Sequence, residues 1–143
     1  MRLVIDTNVI VSALIARGVP YELLQAARGN RFEIYTSIEL LDELEAVLRR
    51  KKIASRLTIM QRRPDELRQK FEQVSCRITV PRPYPQIARD PKDDIVLACA
   101  LAAQASAIVT GDKDLIILNR YYNIPILRPR QALQKIQFRS GVP

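Results

Sequence analysis

Six aspartates stand apart from the other acidic residues of this 143-residue sequence. They are Asp6, Asp90, Asp93, Asp94, Asp112 and Asp114. The first follows a short apolar run in LVID, the next three lie in RDPKDD, and the last two lie in TGDKD. All the other acids, mostly glutamates, fall within residues 22–72. Surface charge alone would use both residue types and scatter them. The restriction of these aspartates to three short stretches therefore indicates carboxylates with a chemical role.

Short apolar segments precede these aspartates and alternate with helical patterns. Runs of β-branched and other apolar residues predict strands at residues 3–5, 32–36, 76–80, 107–110 and 124–127. Apolar periodicity and capping residues predict helices at residues 8–17, 21–28, 38–52, 53–74, 94–104 and 129–136. Asn8 is the predicted cap of the first helix, and the basic run RRKK is the predicted end of the third. Strands separated by helices predict an α/β fold with a mainly parallel central sheet.

The predicted sheet brings several acids to one edge. In folds of this type the functional crevice lies at the carboxyl ends of the strands. Asp6 follows the first predicted strand, Asp112 follows the fourth, and Asp94 opens the helix after the third. Glu43 lies on the helix after the second strand, beside its apolar stripe, where it can lean over the same edge. The sequence therefore predicts four carboxylates in one place.

The composition limits the chemistry that this group can perform. The chain has no histidine and only two cysteines without CxxC spacing, which excludes histidine-based catalysis and typical zinc sites. Clustered carboxylates repel one another unless a cation or protons compensate, and an all-oxygen site suits Mg²⁺ or Mn²⁺. The formal charge of +8 favours a nucleic-acid partner. Together these features point to metal-dependent hydrolysis of a phosphodiester.

Four segments, in order along the chain, also carry a family resemblance. VIDTNVIVSAL, DELEAVLRRKK, RDPKDDIVLACALAAQA and AIVTGDKDL resemble PIN-domain nucleases, in particular the VapC-like toxins of bacterial type II toxin–antitoxin systems. The resemblance covers essentially the whole chain. It implies a three-layer α/β/α fold, an acidic Mg²⁺ or Mn²⁺ site and endoribonuclease activity. It also implies an RNA substrate, a cognate antitoxin and a homodimer.

The same resemblance assigns roles to individual residues. Matched by motif, the catalytic acids are Asp6, Glu43, Asp94 and Asp112, of which the three aspartates hold the metal. Asp94 is preferred to its neighbour Asp93 because it opens the predicted helix with apolar residues behind it. The remaining candidates are Glu43, Asp93 and Asp114 as further ligands, and Asn8 and Thr110 as polar supports.

Two other functions remain compatible with parts of the pattern. A catalytically weak or inactive module could keep the fold and bind nucleic acid or protein, although clustered negative charge adds nothing to binding a polyanion. A phosphatase of the haloacid dehalogenase type also ends a strand with aspartate and uses a later GD motif. That chemistry needs a second aspartate two residues after the first, where this chain has Asn8.

The organisation of the chain is expected to be simple. We expect one domain over residues 1–137 and a loose C-terminal tail over residues 138–143. No apolar run reaches membrane-spanning length, and the first residues lack the pattern of a signal peptide. The expected location is therefore the cytoplasm, without a membrane partner.

Overall fold

The computed structural model describes residues 1–139, apart from the side chain of Arg139. Its strands are β1 (Arg2–Ile5), β2 (Glu33–Thr36), β3 (Ser75–Arg77), β4 (Ala107–Val109), β5 (Arg120–Tyr121) and β6 (Ile124–Leu127). Its helices are α1 (Thr7–Ile15), α2 (Val19–Arg28), α3 (Ile38–Leu48), α4 (Lys51–Met60), α5 (Pro64–Gln73), α6 (Pro91–Ala102), α7 (Lys113–Leu118) and α8 (Pro129–Arg139). The tail predicted over residues 138–143 begins inside α8, and residues 140–143 lie outside the described part.

The strands form a single sheet in the order β3-β2-β1-β4-β6-β5. All neighbouring pairs are parallel except β5 and β6, which pair antiparallel. At the centre, Leu3 of β1 pairs with Ile34 on one side and with Ala107 on the other. Parallel neighbours need crossover connections, and helices supply them here. The predicted α/β class with a mainly parallel sheet is confirmed.

Helices cover both faces of the sheet, as strand geometry requires. Successive side chains of a strand point to opposite faces, so Leu3 and Ile5 face one layer and Val4 faces the other. The first layer contains α1 to α5 and α8, and the second contains α6 and α7. A strand buried on both faces needs apolar residues at every position, which explains the uninterrupted runs in β1 and β4.

The start of α6 differs from the prediction. The helix begins at Pro91 rather than at Asp94, and Asp90 is its N-cap, with a carboxylate that accepts the Lys92 N–H at 3.0 Å. Proline suits the first turn of a helix because its fixed φ is already helical and its missing N–H is not needed there. Asp93 and Asp94 are consequently the third and fourth residues of the helix.

The position of the basic run RRKK relative to the helices also differs from the prediction. It was predicted to end a helix, but α3 ends at Leu48 and a new helix, α4, begins at Lys51. Arg50 is the N-cap of α4, with extended backbone at φ −61° and ψ 142°. The two lysines therefore lie in the first turn of α4, where the helix dipole disfavours positive charge.

Smaller differences concern short elements and one cap. The third strand is Ser75–Arg77 rather than residues 76–80. Helix α7 and strand β5 were not predicted, because six and two residues are too few for a periodic signal. Asp6, not Asn8, occupies the N-cap position of α1, since the helix begins directly after it.

No single helix within residues 1–139 has the length and apolar character needed to cross a membrane. Helices α1 and α2 meet the criterion of length and composition only as a pair, and they are bent by 89° relative to each other.

The central strand β4 supplies a test of the core. Ile108 is fully buried, whereas Ile59 on α4 is 84% exposed. We expect Ile108→Ala to lower the free energy of unfolding by about 2–5 kcal/mol, because the cavity removes packing as well as apolar burial. Ile59→Ala should change it by less than about 0.5 kcal/mol. Urea unfolding of both variants checks this, and equal effects would contradict the described packing.

Candidate active site

Asp6 and Thr110 form the buried base of the site. Asp6 follows β1, and its backbone N–H donates to the Val109 carbonyl of β4 at 2.8 Å. Its side chain is only 7% exposed. Thr110 is fully buried, and its hydroxyl donates to Asp6 Oδ2 at 2.7 Å and accepts the Asp112 N–H at 3.0 Å. A single hydroxyl thus orients the Asp6 carboxylate and the turn that carries Asp112.

The acids of the TGDKD segment have different environments. Asp112 is the N-cap of α7, and its Oδ1 accepts the Asp114 N–H at 2.8 Å. Asp112 is partly buried and lines the pocket described below. Asp114 is exposed and does not line that pocket.

Glu43 reaches the site from α3 and is held by a residue that the sequence analysis missed. Its side chain is half-buried, and the Thr7 hydroxyl donates to Glu43 Oε2 at 3.2 Å. Thr7 is the first residue of α1 and is buried. A threonine next to Asp6 in IDTN was the available signal for this contact, but the sequence spacing does not indicate that α1 packs beside α3.

The adjacent residues Asp93 and Asp94 are both buried but face different partners. Asp94 Oδ1 accepts the backbone N–H groups of Ile87 and Ala88 at 3.0 and 2.7 Å, so this carboxylate holds the preceding loop against α6. Asp93 lines the pocket instead, and its Oδ2 is buried without a hydrogen-bond partner. Because Asp93 and Asp94 are consecutive residues inside α6, their side chains point about 100° apart around the helix axis and reach different neighbours. The structure thus brings Asp93 to the pocket and not the preferred Asp94.

These elements enclose a small pocket at the carboxyl ends of β1 and β4. Its volume is about 130 Å³. Five acids line it, namely Asp6, Glu43, Asp90, Asp93 and Asp112. The other lining residues are Thr7, Asn8, Val47, Arg50 and Lys92. Thr110 supports the pocket from below through Asp6. Sequence reasoning missed the contributions of Asp90, Arg50 and Lys92, which depend on the true starts of α4 and α6.

Burial and mutual repulsion shift the ionisation of these acids. Burial raises the pKa of Asp6, although hydrogen bonds from Thr110 and from the Thr7 backbone oppose the shift. Burial also raises the pKa of Glu43, opposed by the Thr7 hydroxyl. For Asp93, burial together with the charges of Asp112 and Asp6 raises the pKa to about 7. Through burial and mutual repulsion, these acids therefore hold protons more tightly than isolated carboxylates do.

The donor set of the pocket consists of oxygen atoms. Cys76 is exposed on β3, and burial raises the pKa of the Cys99 thiol to about 12, so neither cysteine is placed or ionised as a ligand here. Within residues 1–139, no three acidic or thiol side chains are already arranged to hold a metal ion. The carboxylates converge on one pocket without forming a complete coordination shell.

The fold and the pocket define a class of protein: an α/β domain with an acidic site at the carboxyl edge of a parallel sheet. The family model of the PIN domain matches residues 2–114, and the chain belongs to this family. PIN domains are generally nucleases and usually bind divalent metal ions. The family assignment therefore agrees with the resemblance identified in the sequence.

Two known proteins are similar over most of the chain. The uncharacterised protein MJ1680 of Methanocaldococcus jannaschii is 34% identical over 128 residues, which are 87% of this chain and 81% of the relative. A chain of the crystal structure of VapBC2 from Rickettsia felis, bound to a DNA fragment from their promoter, superposes with a TM-score of 0.50. It is 22% identical, and the match covers 90% of this chain and 98% of that one. This structural likeness supports the fold.

The buried Asp93 carboxylate predicts a pH-dependent loss of stability. Its pKa is about 7 in the folded state against 3.8 for the unperturbed group, so between these values the folded chain binds more protons than the unfolded chain. The free energy of unfolding should therefore fall as the pH rises through this window. In EDTA at about pH 8, we expect Asp93→Asn to raise Tm by about 3 °C or more relative to wild type.

The same comparison at about pH 4 should show almost no difference, because wild-type Asp93 is then protonated in the folded state. Asp114→Asn is the matched control, since Asp114 is exposed, and it should leave Tm nearly unchanged at both pH values. A gain from Asp93→Asn that did not depend on pH would contradict the assignment of the effect to a buried charge.

Proposed function

We propose that this PIN domain is a divalent-metal-dependent endoribonuclease. In this proposal Asp6, Asp93 and Asp112 hold Mg²⁺ or Mn²⁺, and Glu43 binds the ion through water or orients the attacking water. The observation that carries the proposal is the Asp93 carboxylate, because Asp93 lines a pocket with four other acids and its buried Oδ2 has no hydrogen-bond partner in the described residues. A buried oxygen of this kind is unfavourable unless a proton or a cation compensates for it.

The chemistry of the donors fits a hard divalent cation. All the candidate ligands are carboxylate oxygens, which Mg²⁺ and Mn²⁺ prefer, and the chain has no histidine for zinc. The incomplete arrangement of ligands suits Mg²⁺, which keeps several waters and takes only a few carboxylates from a protein. When bound, the ion supplies charge neutralisation at a phosphate oxygen and lowers the pKa of a coordinated water.

Residues of the chain itself orient the carboxylates and accept a proton. Thr110 fixes the Asp6 carboxylate by a 2.7 Å hydrogen bond and so keeps one donor in a single orientation. Thr7 does the same for Glu43, leaving its second oxygen free to accept a proton from a water. The raised pKa of Glu43 makes it a better proton acceptor than an exposed glutamate. Displacement by water in this way leaves a 5′-phosphate and a 3′-hydroxyl.

The family assignment also supports a proposal for the biological setting. We propose an RNA substrate, attracted by the net charge of +8, and a cytoplasmic location. The resemblance to VapC-like toxins and the fold shared with a chain of VapBC2 support a role as the toxin of a type II toxin–antitoxin system. A cognate antitoxin and a homodimer belong to this proposal. Co-purification with a small DNA-binding protein encoded in the adjacent reading frame would test the partner.

Metal binding is measurable without any substrate. Saturating Mn²⁺, at about 100 times its Kd, should raise the free energy of unfolding of the wild-type protein by about 2.7 kcal/mol. Asp93→Asn should abolish this gain, because it removes a ligand. Asp94→Asn should keep it, since the amide oxygen still accepts the N–H groups of Ile87 and Ala88. Thermal unfolding with and without Mn²⁺ gives the comparison, and the reverse pattern would make Asp94 the ligand.

Cleavage of a single-stranded RNA tests the catalytic assignment. Asp6→Asn should lower the rate with Mg²⁺ or Mn²⁺ by about a hundredfold or more, because it removes a carboxylate that binds the ion. The exposed control Asp114→Asn should change the rate by less than about threefold. Full activity of Asp6→Asn, or products that end in a 2′,3′-cyclic phosphate, would rule out the mechanism. No cleavage by the wild-type protein would favour the inactive binding module.

A further inference from the structure

Four exposed cations lie at the N-cap and in the first two turns of α4. They are Arg50, Lys51, Lys52 and Arg56, and we refer to them as the basic ridge. Within the described residues none of them has an ion pair within 4.0 Å, whereas nearby Arg49 and Arg62 pair with glutamates at 3.1 and 2.9 Å. No acid occurs anywhere in residues 46–64. The positive charge of the basic ridge is therefore available to a partner.

This charge is unfavourable for the stability of α4. Lys51 and Lys52 lie in the first turn, where the positive end of the helix dipole repels them. Lys52 and Arg56 are four residues apart and repel each other on the same face of the helix. An acid at position 52 would reverse both effects. A local arrangement that opposes folding is expected at functional sites.

The basic ridge begins at the acidic pocket. Arg50 lines that pocket, as does Lys92 from the first turn of α6, and neither forms an ion pair with the five acids there. Leu57 anchors the inner face of α4 in the core, so Lys52 and Arg56 lie on its outer face. From Arg50 to Arg56 the ridge extends about 9 Å along the helix. A positive surface thus leads from the rim of the pocket into solvent.

We propose that the basic ridge binds the phosphate backbone of a single-stranded RNA whose scissile bond lies in the pocket. Arg50 positions the phosphate nearest the acids, and Lys51, Lys52 and Arg56 contact phosphates farther along the strand. Residues 46–64 contain no aromatic side chain for base stacking, so these contacts are electrostatic and do not read sequence. The inference rests on the proposed nuclease function for the position of the scissile bond, but binding itself is measurable separately.

The test is fluorescence anisotropy with a labelled single-stranded RNA in EDTA, where no metal-dependent cleavage can occur. We expect the triple variant Lys51→Gln, Lys52→Gln, Arg56→Gln to bind at least about tenfold more weakly than wild type. Its slope of log K against log salt should be shallower by about 2, because three phosphate contacts are lost at about 0.7 each. Arg50→Gln alone should weaken binding about two- to tenfold.

A matched control distinguishes the effect of the basic ridge on RNA affinity from the effect of net charge. Arg28, Arg31 and Lys135 are exposed cations toward the amino-terminal ends of the strands, and changing all three to Gln removes the same charge. This control should keep the RNA affinity within about twofold of wild type. Equal weakening by both triple variants, or unchanged binding by the ridge variant, would overturn the proposal.

One substitution is expected to change thermal stability and RNA affinity in opposite directions. Lys52→Glu should raise Tm by about 2 °C or more, because the acid suits the helix start and pairs with Arg56, while RNA binding becomes weaker. Unchanged RNA affinity in a more stable Lys52→Glu protein would contradict the inference.

The outcomes also distinguish the two proposals. Ridge-dependent binding without cleavage by wild type would refute the nuclease and keep the ridge. If a ridge variant kept both its RNA affinity and its metal-dependent cleavage, the nuclease proposal would stand and the proposal for the basic ridge would be refuted.

Discussion

The parallel pairing of β1 with β4 is the central constraint of this structure. The hydrogen bond from Thr110 to Asp6 depends on it. That pairing ends both strands at the same edge, where the Asp6 N–H reaches the Val109 carbonyl and the next residue, Thr110, reaches the Asp6 carboxylate. Thr110 is fully buried and Asp6 is nearly so, and the threonine hydroxyl is the side-chain hydrogen-bond partner of the Asp6 carboxylate. The position of Asp112 follows, because the same hydroxyl accepts its N–H.

Three of the helices that begin at the pocket, α1, α6 and α7, help it to tolerate its acids. Asp6 is at the N-cap position of α1, Asp112 is the N-cap of α7, and Asp93 lies in the first turn of α6. Each helix directs the positive end of its dipole toward a carboxylate, and such placement stabilises a negative charge by roughly 0.3–1 kcal/mol at an exposed end. Burial and the charges of Asp112 and Asp6 nevertheless raise the pKa of Asp93 to about 7.

The sequence was sufficient for the features that depend on strand order. Apolar runs followed by aspartate identified β1, β4 and the edge where Asp6 and Asp112 meet. The sequence was insufficient where a difference of one position along a helix decides which side chain faces the pocket. Asp93 and Asp94 are neighbours of the same type, and only the packing of α6 in the folded chain determines which of them lines the pocket. Tertiary packing alone brings Thr7 to Glu43, and the break before Lys51 cannot be read from RRKK, which suits a helix end as well as a helix start.

The charges around the site have opposite signs for related physical reasons. A polyanionic strand is repelled by five acids, and it gains nothing from them until a cation or protons reduce their charge. Arg50 and Lys92 would cancel part of that charge if they paired with the acids, yet neither forms an ion pair at this pocket. Positive charge that stays at the rim attracts phosphates while leaving the carboxylate oxygens free for a small, hard ion. The separation of an acidic floor from a basic rim is thus the arrangement that the proposed nuclease needs, because its one pocket has to accept both a metal ion and a phosphate.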